Sequence, residues 1–269
     1  MQGIISGYGG GGRAVQCDKI VGFMPLILVT NDDGVTSEGI HALADAMRPL
    51  GDVIVVAPLQ EASAIGHALT LRRPLRIESI SEGVYGVDGT PTDCVNLACA
   101  ILLKGALPDL VVSGINKGWN LGDDITYSGT VSGALEGALL GPPGIAVSLK
   151  RTPTYDFGPS AAAAARVAAS VLEHGIPPRT FININVPAGT PKGMRVTSQA
   201  KRNHVTKIDA RTDPRGGAYY WIEEALDEYH PDSGRSDHEA VKEGFISVTP
   251  LQPDMTAYDV LEQLAAHLK

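Results

Sequence analysis

Cysteine is scarce: Cys17, Cys94 and Cys99 are the three in 269 residues, and none stands in a C-x-x-C pair. An odd, scattered count provides no disulfide framework, so a reducing cytoplasm is the expected compartment. Cys94 and Cys99 read as small core residues on one helix. Positive charge is also short, with 22 Lys and Arg against 30 Asp and Glu and a net charge of −8. A chain of that sign does not steer toward phosphate backbones, which argues against extended nucleic acid as a partner. A small phosphorylated ligand remains compatible, because one bound cation reverses the local field. No apolar run is long enough for a membrane helix, so no membrane partner is expected. The run 20–29 lacks the basic flank and small-residue cleavage site of a signal peptide and leads straight into Asn31-Asp32-Asp33-Gly34. No G-x-G-x-x-G follows the first apolar run, which weighs against a dinucleotide-dependent oxidoreductase.

What is present is a packed-core composition, 43% hydrophobic, and an alternation of short apolar strands with amphipathic segments. Residues 1–23, including Gly9 to Gly12, read as a flexible extension ahead of Met24, which leaves 24–269 as a single domain. Strands are expected at 26–30, 52–57, 110–113, 145–149 and 181–186, the last ended by Pro187. Helices are expected at 39–50, where Ile40, Leu43, Ala44 and Met47 fall at helical spacing, and at 90–103, 130–140 and 161–172. Thr90-Pro91-Thr92-Asp93 has the form of a helix start, with a threonine cap, an early proline and an acid at the third position. Residues 75–80 and 84–87 read as a hairpin turning at Ser81-Glu82-Gly83. Strands separated by helices give an α/β fold, three-layered and Rossmann-like, with a mostly parallel sheet. From about 190 to 250 the chain is richer in charge and reads as an antiparallel excursion, with strands at 218–222 and 245–249. An amphipathic helix at 257–268 closes the chain.

Ligands of open α/β sheets bind outside the carboxyl ends of the strands, and three polar clusters fall there. Asn31-Asp32-Asp33-Gly34 follows the first strand. Adjacent carboxylates repel unless a cation lies between them, although the same four residues also suit a solvated turn. Residues 113–124 interleave Gly114, Gly118 and Gly122 with Asn116, Asn120, Asp123 and Asp124, amide oxygens for a metal and backbone N–H groups for an anion. Ser128-Gly129-Thr130 opens a helix, where N–H groups and dipole favour an anion; read alone it is a good helix cap. Hard oxygen donors without a His or Cys cluster favour Mg²⁺ or Mn²⁺ over zinc. A hard cation beside an anion site is a phosphoryl-transfer layout.

The stretch Ile27-Leu28-Val29-Thr30-Asn31-Asp32-Asp33-Gly34 resembles the opening of the SurE family. Gly89-Thr90-Pro91-Thr92-Asp93-Cys94-Val95, the run 112–134, Phe181-Ile182-Asn183-Ile184-Asn185-Val186-Pro187 and Ile246-Ser247-Val248-Thr249-Pro250-Leu251 are similar to its later blocks, in order. The resemblance spans about residues 24–251. It implies a phosphomonoesterase acting on nucleoside 5′-monophosphates, with 3′-monophosphates and short polyphosphate as further substrates. It also implies one divalent cation per subunit, held by Asp32, Asp33, Ser63 and Asn116. The phosphate is then held by Asn31, Asn120, Ser128, Gly129 and Thr130, and Asp32 and Asp33 are the catalytic residues. The expected attack is by an activated water that one aspartate positions, with direct aspartyl attack as the alternative. The resemblance further implies a homodimer or homotetramer in which residues of about 190–250 exchange contacts between subunits. The sequence departs from the family in one loop: Leu59-Gln60-Glu61-Ala62 stands where a charged run usually begins with Asp and carries Arg or Gln before the serine.

His41 and His67 lie near the expected site in sequence and read as surface or packing histidines. His204, His230 and His238 have no ligand spacing. Tyr219, Tyr220 and Trp221 suit either base stacking or an oligomer interface, and Lys201 and Arg202 read as solvated. Two other function classes compete. A haloacid-dehalogenase-like phosphatase wants its two aspartates one residue apart, and these are adjacent. A non-catalytic nucleotide sensor has no need of paired aspartates.

Overall fold

A computed structural model describes residues 24–201, 206–224 and 234–269. The 1–23 extension with Cys17, and Arg202, His204 and His230, lie outside the described residues.

In chain order, β1 (Leu26–Thr30) leads to α1 (Glu38–Met47), β2 (Asp52–Pro58), β3 (Ile77–Ser81), β4 (Val84–Val87) and α2 (Pro91–Leu97). Next come β5 (Leu110–Lys117), α3 (Gly129–Leu140), β6 (Gly144–Leu149), α4 (Gly158–His174) and β7 (Phe181–Val186). The chain ends with β8 (Met194–Val196), β9 (Thr206–Thr212), β10 (Ala218–Glu224), α5 (Asp237–Lys242), β11 (Ile246–Leu251) and α6 (Leu261–His267). Among the described residues one sheet has nine strands in the order β3-β4-β2-β1-β5-β6-β7-β11-β8, and β9 and β10 form a separate antiparallel ribbon.

Successive side chains of a strand point to opposite faces, and the central strands divide accordingly. Ile27 and Val29, Val55 and Ala57, and Leu110 and Val112 pack with α1 and α4. Leu28, Val56 and Val111 pack with Cys94, Val95 and Ala98 of the α2 segment. These strands are apolar on both faces because helices cover both. The chain runs from β1 to β2 on one side and later returns to place β5 on the other. The crevice beyond the C-terminal ends of β1 and β5 is therefore the topological switch point.

Local chemistry explains the elements around that crevice. Thr90 Oγ1 accepts from the Asp93 N–H at 3.1 Å while the Asp93 carboxylate accepts from the Thr90 N–H at 2.9 Å, a reciprocal cap at the start of α2. The helix expected to run to 103 stays α-helical to Leu97 and then takes a π turn over Ala98–Leu102. Gly129, Gly133 and Gly137 recur every four residues along α3. A Cβ on them would lie 2.9 Å from Asp32 Cβ, 2.8 Å from Ser113 Oγ and 2.7 Å from Val111 Cβ respectively. The small residues bring the helix backbone down onto β1 and β5, and bring its first turn to Asp32.

Three sequence expectations are corrected. The third strand does not stop at 113: past an irregularity it resumes pairing with β6 at Asn116↔Ser148 and Lys117↔Leu149. The strand near 245–249 is β11, and it belongs to the main sheet, antiparallel to β7, because Ile246 and Leu251 bury there. The closing amphipathic segment is a short 3-10 turn at Tyr258–Val260 followed by α6, and none of its residues is buried.

Candidate active site

Asp32 and Asp33 leave the end of β1 in a turn that Asn31 closes, its amide donating to Gly34 O at 3.0 Å and to Ser37 Oγ at 2.9 Å. Asp32 is 4% exposed. Its carboxylate accepts the Thr130 N–H at 3.1 Å on Oδ2, and the Thr130 hydroxyl on Oδ1. Burial pushes the Asp32 carboxyl up to about 6; the Thr130 hydrogen bond opposes that shift, and the neighbouring Asp33 charge adds to it. Asp33 is raised as well, first by burial. The Lys117 charge counters, and the Glu61 charge reinforces.

The other candidate residues arrive from three segments. Ser63 sits in the loop after β2, which is bound to the turn through the Ala62 N–H donating to Asp32 O at 2.8 Å. Its hydroxyl donates to Glu61 Oε1 at 2.6 Å. Asn116 lies near the end of β5, and its amide donates to Gly118 O at 2.8 Å. Ser128 caps α3, accepting the Val131 N–H at 3.1 Å, and Gly129 follows as the first helical residue, close against Asp32.

Asn120 and Thr130 are placed differently from a simple phosphate contact. Asn120 is buried; its side-chain amide donates to Ser148 Oγ at 2.7 Å, and its N–H donates to Asn185 Oδ1 at 2.8 Å. Its carbonyl accepts from Asn183 and Asn185 at 2.8 and 2.9 Å. The F-I-N-I-N-V block thus supplies a polar clamp under the β5 loop, with Ile182, Ile184 and Val186 facing the core on the opposite side. Thr130 directs both donors at Asp32, which makes it the support of a catalytic candidate. Gly122, two residues beyond Asn120, donates its N–H to buried Asp237 Oδ2 at 3.0 Å, and Asp237 Oδ1 accepts from Ala200 and His238.

Asp33 Oδ2 and Asn31 Oδ1 are buried and without a hydrogen-bond partner. Orphaned acceptors beside two adjacent carboxylates fit a bound cation. Among the described residues no three His, Cys, Asp or Glu side chains converge on a point. The set here has two carboxylates plus neutral hydroxyl and amide oxygens, which suits Mg²⁺ or Mn²⁺ and not zinc. An apolar groove of about 290 Å³ between α4 and β8 shares no residue with this cluster.

Sequence reasoning passed over one network. His67, read as a surface or packing residue, lies 2.6 Å through Nε2 from Oε2 of buried Glu136 on α3, and Asn96 donates to Oε1 of the same carboxylate at 2.6 Å. These partners are separated by 69 and 40 residues, so no local spacing exposes them.

The family model described as Survival protein SurE matches residues 27–206. Proteins named 5′-nucleotidase SurE from Syntrophotalea carbinolica and Geobacter sulfurreducens are 51% and 54% identical over 242 residues. They cover 89% and 88% of this chain and 96% and 92% of their own lengths. The crystal structure of the SurE protein from Aquifex aeolicus matches with a TM-score of 0.82 at 43% identity, covering 91% of this chain and all of that one.

Proposed function

The chain belongs to the SurE family, and on that premise we propose that it is a 5′-nucleotidase, a metal-dependent phosphomonoesterase that converts nucleoside 5′-monophosphates to nucleoside and phosphate. The observation that carries the reading is the Asp32 carboxylate held at the start of α3, with Oδ2 of the adjacent Asp33 buried and unpartnered. The names of the relatives give the substrate class.

Asp32, Asp33, Ser63 and Asn116 hold one divalent cation, Mg²⁺ or Mn²⁺, per subunit. A cation bound there would supply positive charge to offset the charge of the phosphate oxygens. The remaining phosphate oxygens meet the Ser128 hydroxyl and the Gly129 N–H at the positive end of α3; Asn31 is fully buried and acts through the turn that its amide closes. Thr130 acts through Asp32, and Asn120 through the shape of its loop. One aspartate of the pair orients the attacking water and draws off its proton. The new bond joins water oxygen to phosphorus, the bond from phosphorus to the ribose oxygen breaks, and that oxygen takes up a proton.

Nucleoside 3′-monophosphates and short polyphosphate are further substrates, since phosphate is the group the site grips. The net charge of −8 weighs against extended nucleic acid. Among the described residues no helix is long and apolar enough to cross a membrane. A cytoplasmic location accords with the free thiols of Cys94 and Cys99. A homodimer or homotetramer accords with Ile208, Tyr220, Trp221 and Ile222, exposed on the β9–β10 ribbon. A two-stranded ribbon is marginal alone and gains stability from a covering partner. Chromatography of products from 5′-AMP and 3′-AMP tests the reading. Adenosine and phosphate are expected, and release of adenine would contradict it.

A further inference from the structure

The loop that carries Ser63 has neither helix nor strand between the end of β2 and residue 70. It is fastened by backbone hydrogen bonds at Ala62, to Asp32 O at 2.8 Å, and at Gly66, to Tyr127 O at 3.0 Å. Between those points the chain reverses through left-handed conformations at Ala64 and Gly66, with φ of 55° and 62°. Ser63 and Ile65 are exposed. Immediately past the reversal, His67 reaches the Glu136 carboxylate at 2.6 Å. Glu136 is 7% exposed, and it is the one charged residue among the buried positions of α3. A buried carboxylate there costs desolvation, and a leucine of similar length would not.

We propose that His67 and Glu136 form a positioning pair that holds the Ser63 loop over the Asp32–Asp33 pair, so that the cation meets a preformed oxygen set. This rests on the metal-dependent reading above. Thr130 and Glu136 are six residues apart on one helix, about 9 Å along its axis. Thr130 fixes Asp32, and Glu136 fixes His67. One rigid element therefore sets the distance between the carboxylate pair and the loop that supplies Ser63. Asn96 satisfies the second oxygen of Glu136 from α2, which keeps the carboxylate aimed at His67. Partners behind metal ligands are worth tens-fold in affinity because they remove the freedom of the ligand to swing away.

The test measures Mn²⁺ binding without substrate, by the electron paramagnetic resonance signal of free Mn²⁺. It uses wild type, His67→Ala, His67→Gln, Glu136→Ala and the double alanine variant, each checked for folding by circular dichroism. Each single alanine variant is expected to weaken Mn²⁺ binding about tenfold or more, and the double variant no more than either. His67→Gln, which keeps an N–H donor for Glu136, recovers part of the loss. The kcat at saturating Mn²⁺ stays within about threefold of wild type, since the ligands themselves are intact. Mn²⁺ affinity unchanged in the folded variants overturns the positioning role while leaving the nucleotidase reading intact. So does a fall in kcat with affinity unchanged. If the alanine variants do not fold, unaltered affinity in folded Glu136→Leu, which fills the space but offers His67 no acceptor, decides against it. A wild type that binds no Mn²⁺ overturns the metal reading itself, and the pair's role with it.

Discussion

Thr130, the second residue of α3, grips the carboxylate of Asp32 through both its N–H and its hydroxyl, although 98 residues separate them. This bond fixes the start of the helix to the end of β1. Thr130→Val keeps the N–H and the shape but removes the hydroxyl. A hydrogen bond to an ionised group contributes about 2 kcal/mol, so kcat/KM should fall roughly thirtyfold. Because that bond favours ionised Asp32, the acid limb of the pH–rate profile should move to higher pH. Thr130→Ser should stay near wild type. Steady-state kinetics across pH check both points.

Asp32 carries a stability cost whose sign can be read. Its carboxyl is raised from 3.8 to about 6, so the fold favours the protonated form. That contribution is fully present below about pH 4 and is lost as pH rises through about 6. Two pH units correspond to about 3 kcal/mol. In EDTA at pH 8, Asp32→Asn should therefore be more stable than wild type by up to that amount, and the gap should close toward pH 4. Urea denaturation at the two pH values measures it. The same variant should lose phosphatase activity.

Asp237 gathers three backbone N–H groups, from Gly122 in the site loop, from Ala200 and from His238. Asp237→Ala leaves the buried Gly122 and Ala200 N–H groups without an acceptor, at about 1–3 kcal/mol each. Melting should fall by several degrees or more, and KM for substrate should rise as the loop from Asn120 to Asp123 loosens. Calorimetry with kinetics on the same preparation tests this.

The β9–β10 ribbon exposes Tyr220, Trp221 and Ile222. If subunits meet there, Trp221→Glu with Ile222→Lys should reduce the mass seen by light scattering to that of a smaller assembly. Unchanged mass would place the interface elsewhere.

Much of this was legible in the sequence because it is local. The reciprocal cap of Thr90 and Asp93, the strand at Phe181–Val186 and the paired aspartates all lie within a few residues. The family resemblance added Ser63 and Asn116, which local chemistry alone does not single out. What escaped is non-local or depends on packing. The bonds from Thr130 to Asp32 and from His67 to Glu136 join distant segments. The π turn after Leu97 breaks an apolar periodicity that reads as unbroken helix. β11 looked like part of the excursion because the charged ribbon precedes it, but its buried alternation returns it to the main sheet.

The central claim is that the Asp32–Asp33 cluster hydrolyses nucleoside monophosphates with a divalent cation. Phosphate release from a nucleoside monophosphate panel, with Mg²⁺, Mn²⁺ or EDTA, tests it most directly on wild type and Asp33→Asn. The account predicts release that requires metal and collapses in the folded variant by about a hundredfold or more. Release that persists in EDTA, an undiminished Asp33→Asn, or no release from folded wild type with either metal would contradict it.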